Sequence, residues 1–211
     1  MKSSPERRGV TRLHLLRHGE TDWNAEGRIQ GQSESLLTEA GRAQAVALQA
    51  ELKHLGISRV FSSSSLRARQ TAAIAFAGIA EDIHYLDTLR EIALGNWEGH
   101  LYSTIEAVYP EQLRAFRELP EQFRFQGAET FAELQARGLA ALEEIALSCP
   151  GQAVAVVSHG ALIRSVLSHY GKRPLSRLWE PPKMHNCAHS IVEIVGDTDP
   201  RIIQYAGQRS W

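Results

Sequence analysis

The chain has 211 residues of which 43% are hydrophobic, enough to bury the core of one large domain. Its 23 lysines and arginines nearly cancel 24 aspartates and glutamates, so no global field gathers nucleic acid or an anionic membrane, and an anion has to be held by a local site. Cys149 and Cys187 are too few for a disulfide framework and fit neither a CxxC nor a zinc-ribbon spacing, which makes the cytoplasm the expected compartment.

Met1 to Thr11 carries Lys2, Arg7 and Arg8 with no apolar run behind them, so a loose tail over 1–11 and a single domain over 12–211 are expected. No apolar stretch reaches the length of a bilayer span. Arg12 to Leu16 reads as a short buried strand that runs into Arg17-His18-Gly19. Thr38 is a good N-cap for a helix carrying Ala45, Leu48, Leu52 and Leu55, with Gly56 beyond its end. Arg59-Val60-Phe61 is a second strand, running into Ser62 to Ser65, and Leu66 to Phe76 a second helix that stops near Gly78.

Between Glu91 and Gln126 the periodicity weakens, with Pro110 and Pro120 read as breaks, and a helical lid insertion over about 100–126 is expected. Thr130 caps a third helix with Phe131, Leu134, Leu142 and Ile145 on one face, ending before Pro150. Ala153 to Val157 is the clearest strand and runs into Ser158-His159-Gly160, followed by a helix from Ala161 to Tyr170. Two late strands, Ser190 to Val195 and Ile202 to Tyr205, flank a turn over 196–200 and are expected to pair. The alternation predicts an α/β fold, a mainly parallel central sheet with helices on both faces.

In such sheets ligands bind outside the carboxyl ends of the strands. Three strand ends deliver Arg17 and His18, the serine run leading to Arg67, and His159 to that edge. Helix N-termini at Leu66 and Ala161 are expected to add free N–H groups, which together describes a phosphate site. Any one of these residues alone is more often an ordinary loop histidine or a solvated arginine; the conjunction carries the reading.

Arg17-His18-Gly19-Glu20-Thr21, Asn24, Arg28-Ile29-Gln30-Gly31 and Leu37-Thr38-Glu39-Ala40-Gly41 resemble the opening of the histidine phosphatase superfamily, in its phosphoglycerate-mutase-like branch. The likeness continues in order through Ser62-Ser63, Arg67-Ala68-Arg69-Gln70-Thr71, Glu91 with Gly95-Asn96-Trp97-Glu98-Gly99, and Ser158-His159-Gly160. Leu36 and Ser64 stand where the family often has proline, which bears on loop geometry rather than chemistry.

The resemblance implies a phosphatase acting on a small phosphorylated metabolite through a phosphohistidine on His18, with Glu91 as general acid and base and no metal or other cofactor. Arg17, Asn24, Arg67 and a protonated His159 would cradle the phosphoryl group, with Gly160 among the phosphate-binding residues, while Gln30, Gly31 and the lid shape the leaving-group pocket. Two guanidiniums suit that task because their planar forks grip phosphoryl oxygens bidentately. Glu98 is the rival to Glu91, and Arg69 the rival to Arg67. In the lid, one of Arg114, Arg117 and Arg124 is a candidate to meet a second anionic group, beside Tyr102, Tyr109 and Phe116. The resemblance admits α-ribazole phosphate, phosphoserine, phosphoglycerate or a sugar phosphate as substrate, and a homodimer as one assembly, with Gly207 to Trp211 a tail able to dock. A 2,3-bisphosphoglycerate-dependent mutase and a silent phospho-ligand-binding relative are the alternative functions. Separately, His185, Cys187 and His189 would share a face if extended, the spacing of a possible metal triad.

Overall fold

The computed structural model describes residues 9–196 and 198–209. Six strands form one sheet in the order β3-β2-β4-β1-β5-β6, with β1 Val10–Arg17, β2 Ile57–Ser63, β3 Ile83–Leu86, β4 Ala153–Ser158, β5 His189–Val195 and β6 Arg201–Gln204. The first four are mutually parallel where they pair, and β5 and β6 run antiparallel, as the late-strand reading expects. The first strand begins earlier than Arg12, because Val10 and Thr11 already pair with Val195 and Ile194 and the Thr11 hydroxyl donates to the Cys149 carbonyl. The rest of the expected tail, residues 1–8, lies outside the described residues.

Strand alternation divides the core into two layers. Leu13 and Leu15 of β1 face α6 (Phe131–Ser148) and α7 (Gly160–Tyr170), in one cluster with Val154, Val156, Leu142 and Ile163. Leu16 faces the opposite layer, formed by α2 (Glu39–Leu52) and α3 (Leu66–Ala75), where Leu48, Leu52, Ala68 and Ala72 pack on Val60 and Val157. Helices therefore cover both faces. The expected caps are present: the Thr38 hydroxyl accepts from Gly41 N, and Thr130 and Glu133 form a reciprocal capping box.

The insertion holds two short helices, α4 (Tyr102–Val108) and α5 (Pro110–Glu118). Pro110 opens α5 at its first position rather than breaking a helix, since the missing N–H there has no intrahelical acceptor to lose. Phe116, Phe123 and Trp97 are buried together against Phe131 of α6, so an aromatic cluster fixes the lid to the body. A further short helix, α1 (Asp22–Glu26), follows the first strand and has no apolar stripe that would announce it.

Candidate active site

The register of the parallel strands assembles the site. Arg17 of β1 lies opposite Ser158 of β4, so the next residue of each chain, His18 and His159, leaves the sheet side by side, with ring centroids 5.2 Å apart. Ser62 of β2 pairs with Val157, which brings Ser63 to the same edge, and its Oγ lies 2.7 Å from His159 Nε2. Gly19 turns the chain against Gly41 at the start of α2; a Cβ on Gly19 would come 2.5 Å from the Gly41 carbonyl oxygen, so only glycine fits.

His18 Nδ1 lies 2.7 Å from the Gly19 carbonyl oxygen, which can only accept, so Nδ1 carries the proton and Nε2 the lone pair. Burial, and then the Arg67 and Arg17 charges, hold the imidazole well below its ordinary value, keeping it neutral. The same forces hold His159 well below its ordinary value: burial first, then Arg67, His18 and Arg17. In the ligand-free protein these forces favour the neutral form of His159, which is wholly buried, whereas a bound phosphoryl dianion would act in the opposite direction, toward the protonated form that the resemblance implies.

Arg67 is buried beside these rings and Arg17 half-buried. Arg67 donates through Nη1 to the Ser33 carbonyl (2.9 Å) and through Nη2 to the Gly31 carbonyl (2.7 Å), and Arg17 donates through Nη1 to the Met184 carbonyl (2.6 Å). Burial lowers the Arg67 pKa to about 10, which leaves it a cation at neutral pH. Among the described residues the buried Nε of each arginine and Nδ1 of His159 have no protein partner. A buried guanidinium N–H without an acceptor is costly, and an anion at this edge would satisfy the two Nε groups. Gly160 packs closely on Arg17, since a Cβ there would lie 3.3 Å from Arg17 Nε and that side chain would have to give by a few tenths of an ångström.

Glu91 accepts from the backbone N–H of Ala161 (3.0 Å) and Leu162 (3.1 Å), and a third bond comes from Ile92 N. The expectation of free N–H groups at the two helix starts is therefore corrected: Glu91 occupies the α7 terminus, and Glu34 accepts from Leu66 N (2.6 Å) at the α3 terminus. Helix dipoles favour carboxylates at those positions, and the protein supplies its own. Glu98, the rival acid, is committed elsewhere, accepting from Gln32 N, Leu94 N and the Ser33 hydroxyl. Arg69 is exposed and stacks over Tyr85, with its guanidinium carbon 4.7 Å from the ring centroid, so it is not the phosphate ligand.

Arg17, His18, Asn24, Gln30, Gly31, Arg67, Glu91 and Gly160 all line one cavity of about 440 Å³, while His159 sits beneath it. The cavity also takes Trp23, Arg28, Tyr102, Phe116, Arg117, Arg164, Trp179 and Met184, most of which the sequence reading did not place there. Of the lid arginines, Arg117 alone lines it, held over the Tyr102 ring at 5.3 Å. The proposed metal triad does not form: Cys187 sits in a turn with φ +56°, so residues 185–189 are not extended, and His189 Nε2 pairs instead with His14 Nδ1 at 2.9 Å. Among the described residues no group of three or more histidine, cysteine, aspartate or glutamate side chains could hold a metal ion.

The sequence profile of the histidine phosphatase superfamily (branch 1) matches residues 13–206. The chain belongs to this superfamily. It is 39% identical over 160 residues to a metal-independent phosphoserine phosphatase of Arabidopsis thaliana, covering 74% of this chain and 67% of that protein. It is 36% identical to phosphoserine phosphatase 1 of Hydrogenobacter thermophilus over 186 residues, 88% of this chain and 87% of the relative. The structure of Bacillus stearothermophilus YhfR superposes with a TM-score of 0.91 at 36% identity, over 95% of this chain and 98% of the other. The protein is a phosphomonoesterase of the superfamily. Among the described residues no helix is long and apolar enough to cross a membrane.

Proposed function

We propose that the enzyme hydrolyses the phosphomonoester of a small metabolite in two in-line steps through a phosphohistidine at His18 Nε2. The observation that carries this reading is the neutral His18 ring, its Nδ1–H held by the Gly19 carbonyl, beside two guanidiniums whose buried Nε groups lack a protein acceptor. In the first step Nε2 forms a bond to phosphorus, the ester P–O bond breaks, and Glu91 gives a proton to the leaving alkoxide. In the second, Glu91 takes a proton from water as its oxygen attacks phosphorus, and the P–N bond breaks to release phosphate. Arg17, Arg67 and Asn24 stabilise the equatorial oxygens throughout, which is where phosphoryl transfer gains most.

The size of the cavity and the Arg117 charge at its lid side support a small ester carrying a second charged group, as do the relatives named for phosphoserine. The test is phosphate release from a panel of phosphomonoesters in the presence of a chelator, with His18→Ala beside the parent. Turnover of one or a few esters is expected, reduced by about 10³-fold or more in the variant. Activity of His18→Ala within about tenfold of the parent would place the nucleophile elsewhere. Activity that needs an added divalent metal would contradict the metal-free scheme.

A further inference from the structure

We infer that Asn186 is a positioning residue that orients the Asn24 amide toward the phosphoryl group, an assignment resting on the cradle described above. Asn24 lines the cavity, and which end of its amide faces the ligand decides whether it attracts or repels a phosphate. Its Oδ1 accepts from Thr21 N at 3.3 Å and from Asn186 Nδ2 at 3.1 Å. Two donors on one atom identify that atom as the oxygen, so the Asn24 NH2 group is the end left to donate to a ligand.

Asn186 spends its second N–H on the His18 carbonyl at 3.2 Å, an oxygen that also accepts from Cys187 N at 3.2 Å. One amide thus ties the nucleophile's main chain to the side chain of a phosphate ligand. The turn over residues 186–187 makes this possible. The Cys187 N–H reaches the His18 carbonyl where the backbone turns left-handed, and three residues earlier the Met184 carbonyl takes Arg17 Nη1. The segment between Met184 and Cys187 therefore touches Arg17, His18 and Asn24 by hydrogen bonds while contributing no catalytic side chain of its own. This accounts for the His185-Asn186-Cys187-Ala188-His189 cluster without a metal.

Asn186→Ala should lose the oriented donor. The Asn24 amide would then be held only by the longer Thr21 N–H bond and would sample both orientations more often, and binding of a trigonal oxyanion should weaken by up to roughly tenfold, the usual scale for a hydrogen bond to a charged group. The measurement is inhibition of nitrophenyl phosphate hydrolysis by vanadate in the parent, Asn186→Ala, Asn24→Ala and the double variant, with thermal melting of each. If Asn186 acts through Asn24, each single variant weakens vanadate by a similar factor and the double variant is no weaker than Asn24→Ala alone. A vanadate constant unchanged in Asn186→Ala, or losses that multiply in the double variant, would overturn the assignment, because a generally loosened fold gives independent losses. Asn186→Leu, close in volume and neutral but unable to donate to Asn24, gives the same reading if the alanine variant does not fold. Indifference of the parent itself to vanadate would instead strike the phosphoryl-transfer reading, so the two failures are distinguishable.

Discussion

His18 shows how main-chain geometry turns a common side chain into a nucleophile. Its proton is fixed on Nδ1 by the Gly19 carbonyl, and its pKa is lowered by burial and by the Arg67 and Arg17 charges. Both groups that hold it neutral were visible in the sequence, since Arg17 precedes His18 and Arg67 opens a helix after a serine-rich strand end. The sign of the effect is definite: a histidine depressed in the folded state stays unprotonated until the pH falls well below 6.5. Imidazole resonances of the ligand-free protein followed by NMR should therefore show His18 and His159 still neutral at pH 6.5, and either titrating at the ordinary value would contradict this electrostatic account. The carbonyls of Gly31, Ser33 and Met184 that aim the two arginines were not legible, because a backbone oxygen carries no side-chain signature. Nor could residue type separate Glu91 from Glu98. The fold does so by placing Glu91 on the first N–H groups of α7 and closing Glu98 into the loop over 32–33 and Leu94.

Elements were legible where periodicity was strong and silent where it was not. The strands rich in valine and leucine and the capped helix α6 follow their expected course, whereas α2 stops at Leu52 and leaves Leu55 exposed beyond it, β3 reads IHYL with both central residues exposed, and α1 is a five-residue turn with no apolar face. Close contacts between elements were also hidden. A Cβ on Gly41 would lie 2.0 Å from the Glu20 carbonyl oxygen, so Gly41→Ala should push α2 away from the loop behind His18, costing about 1–3 kcal/mol and activity together. Thermal melting beside the nitrophenyl phosphate assay checks this; a variant unchanged in both would contradict it. Between β1 and β5, His14 and His189 share one hydrogen bond in the core, and burial lowers each to about 4. Their unfolded values near 6.5 mean the unfolded chain binds more protons between those limits. Stability from the neutral pair is thus fully present above pH 6.5 and declines as the pH falls toward about 4, by about 3 kcal/mol in order of magnitude for each ring. Urea unfolding across that range should show the decline, and His14→Leu with His189→Leu should flatten it.

Across the whole molecule, the strand order places β4 between β1 and β2, so the three strand ends bearing His18, Ser63 and His159 are neighbours, and α2, α3, α6 and α7 hold the sheet from either side. The lid then closes one wall of the cavity through Tyr102, Phe116 and Arg117. The order of motifs made this architecture and the lid's place over the pocket readable; which lid arginine enters the cavity was not, and Phe116 serves the core and the cavity at once. Because Glu91 faces the same cavity as His18, Glu91→Gln should slow alkyl phosphates by about 10²-fold or more while affecting nitrophenyl phosphate far less, its leaving group needing little protonation. Equal losses on both would remove the acid role from Glu91. The most direct test of the central claim is to quench the enzyme with acid-free denaturant during turnover of a phosphorus-labelled ester and locate the label by peptide mapping. The account predicts a base-stable, acid-labile phosphoryl group on His18 that is absent from His18→Ala. Label on another residue, or full turnover with no phosphoenzyme at any time point, would contradict it.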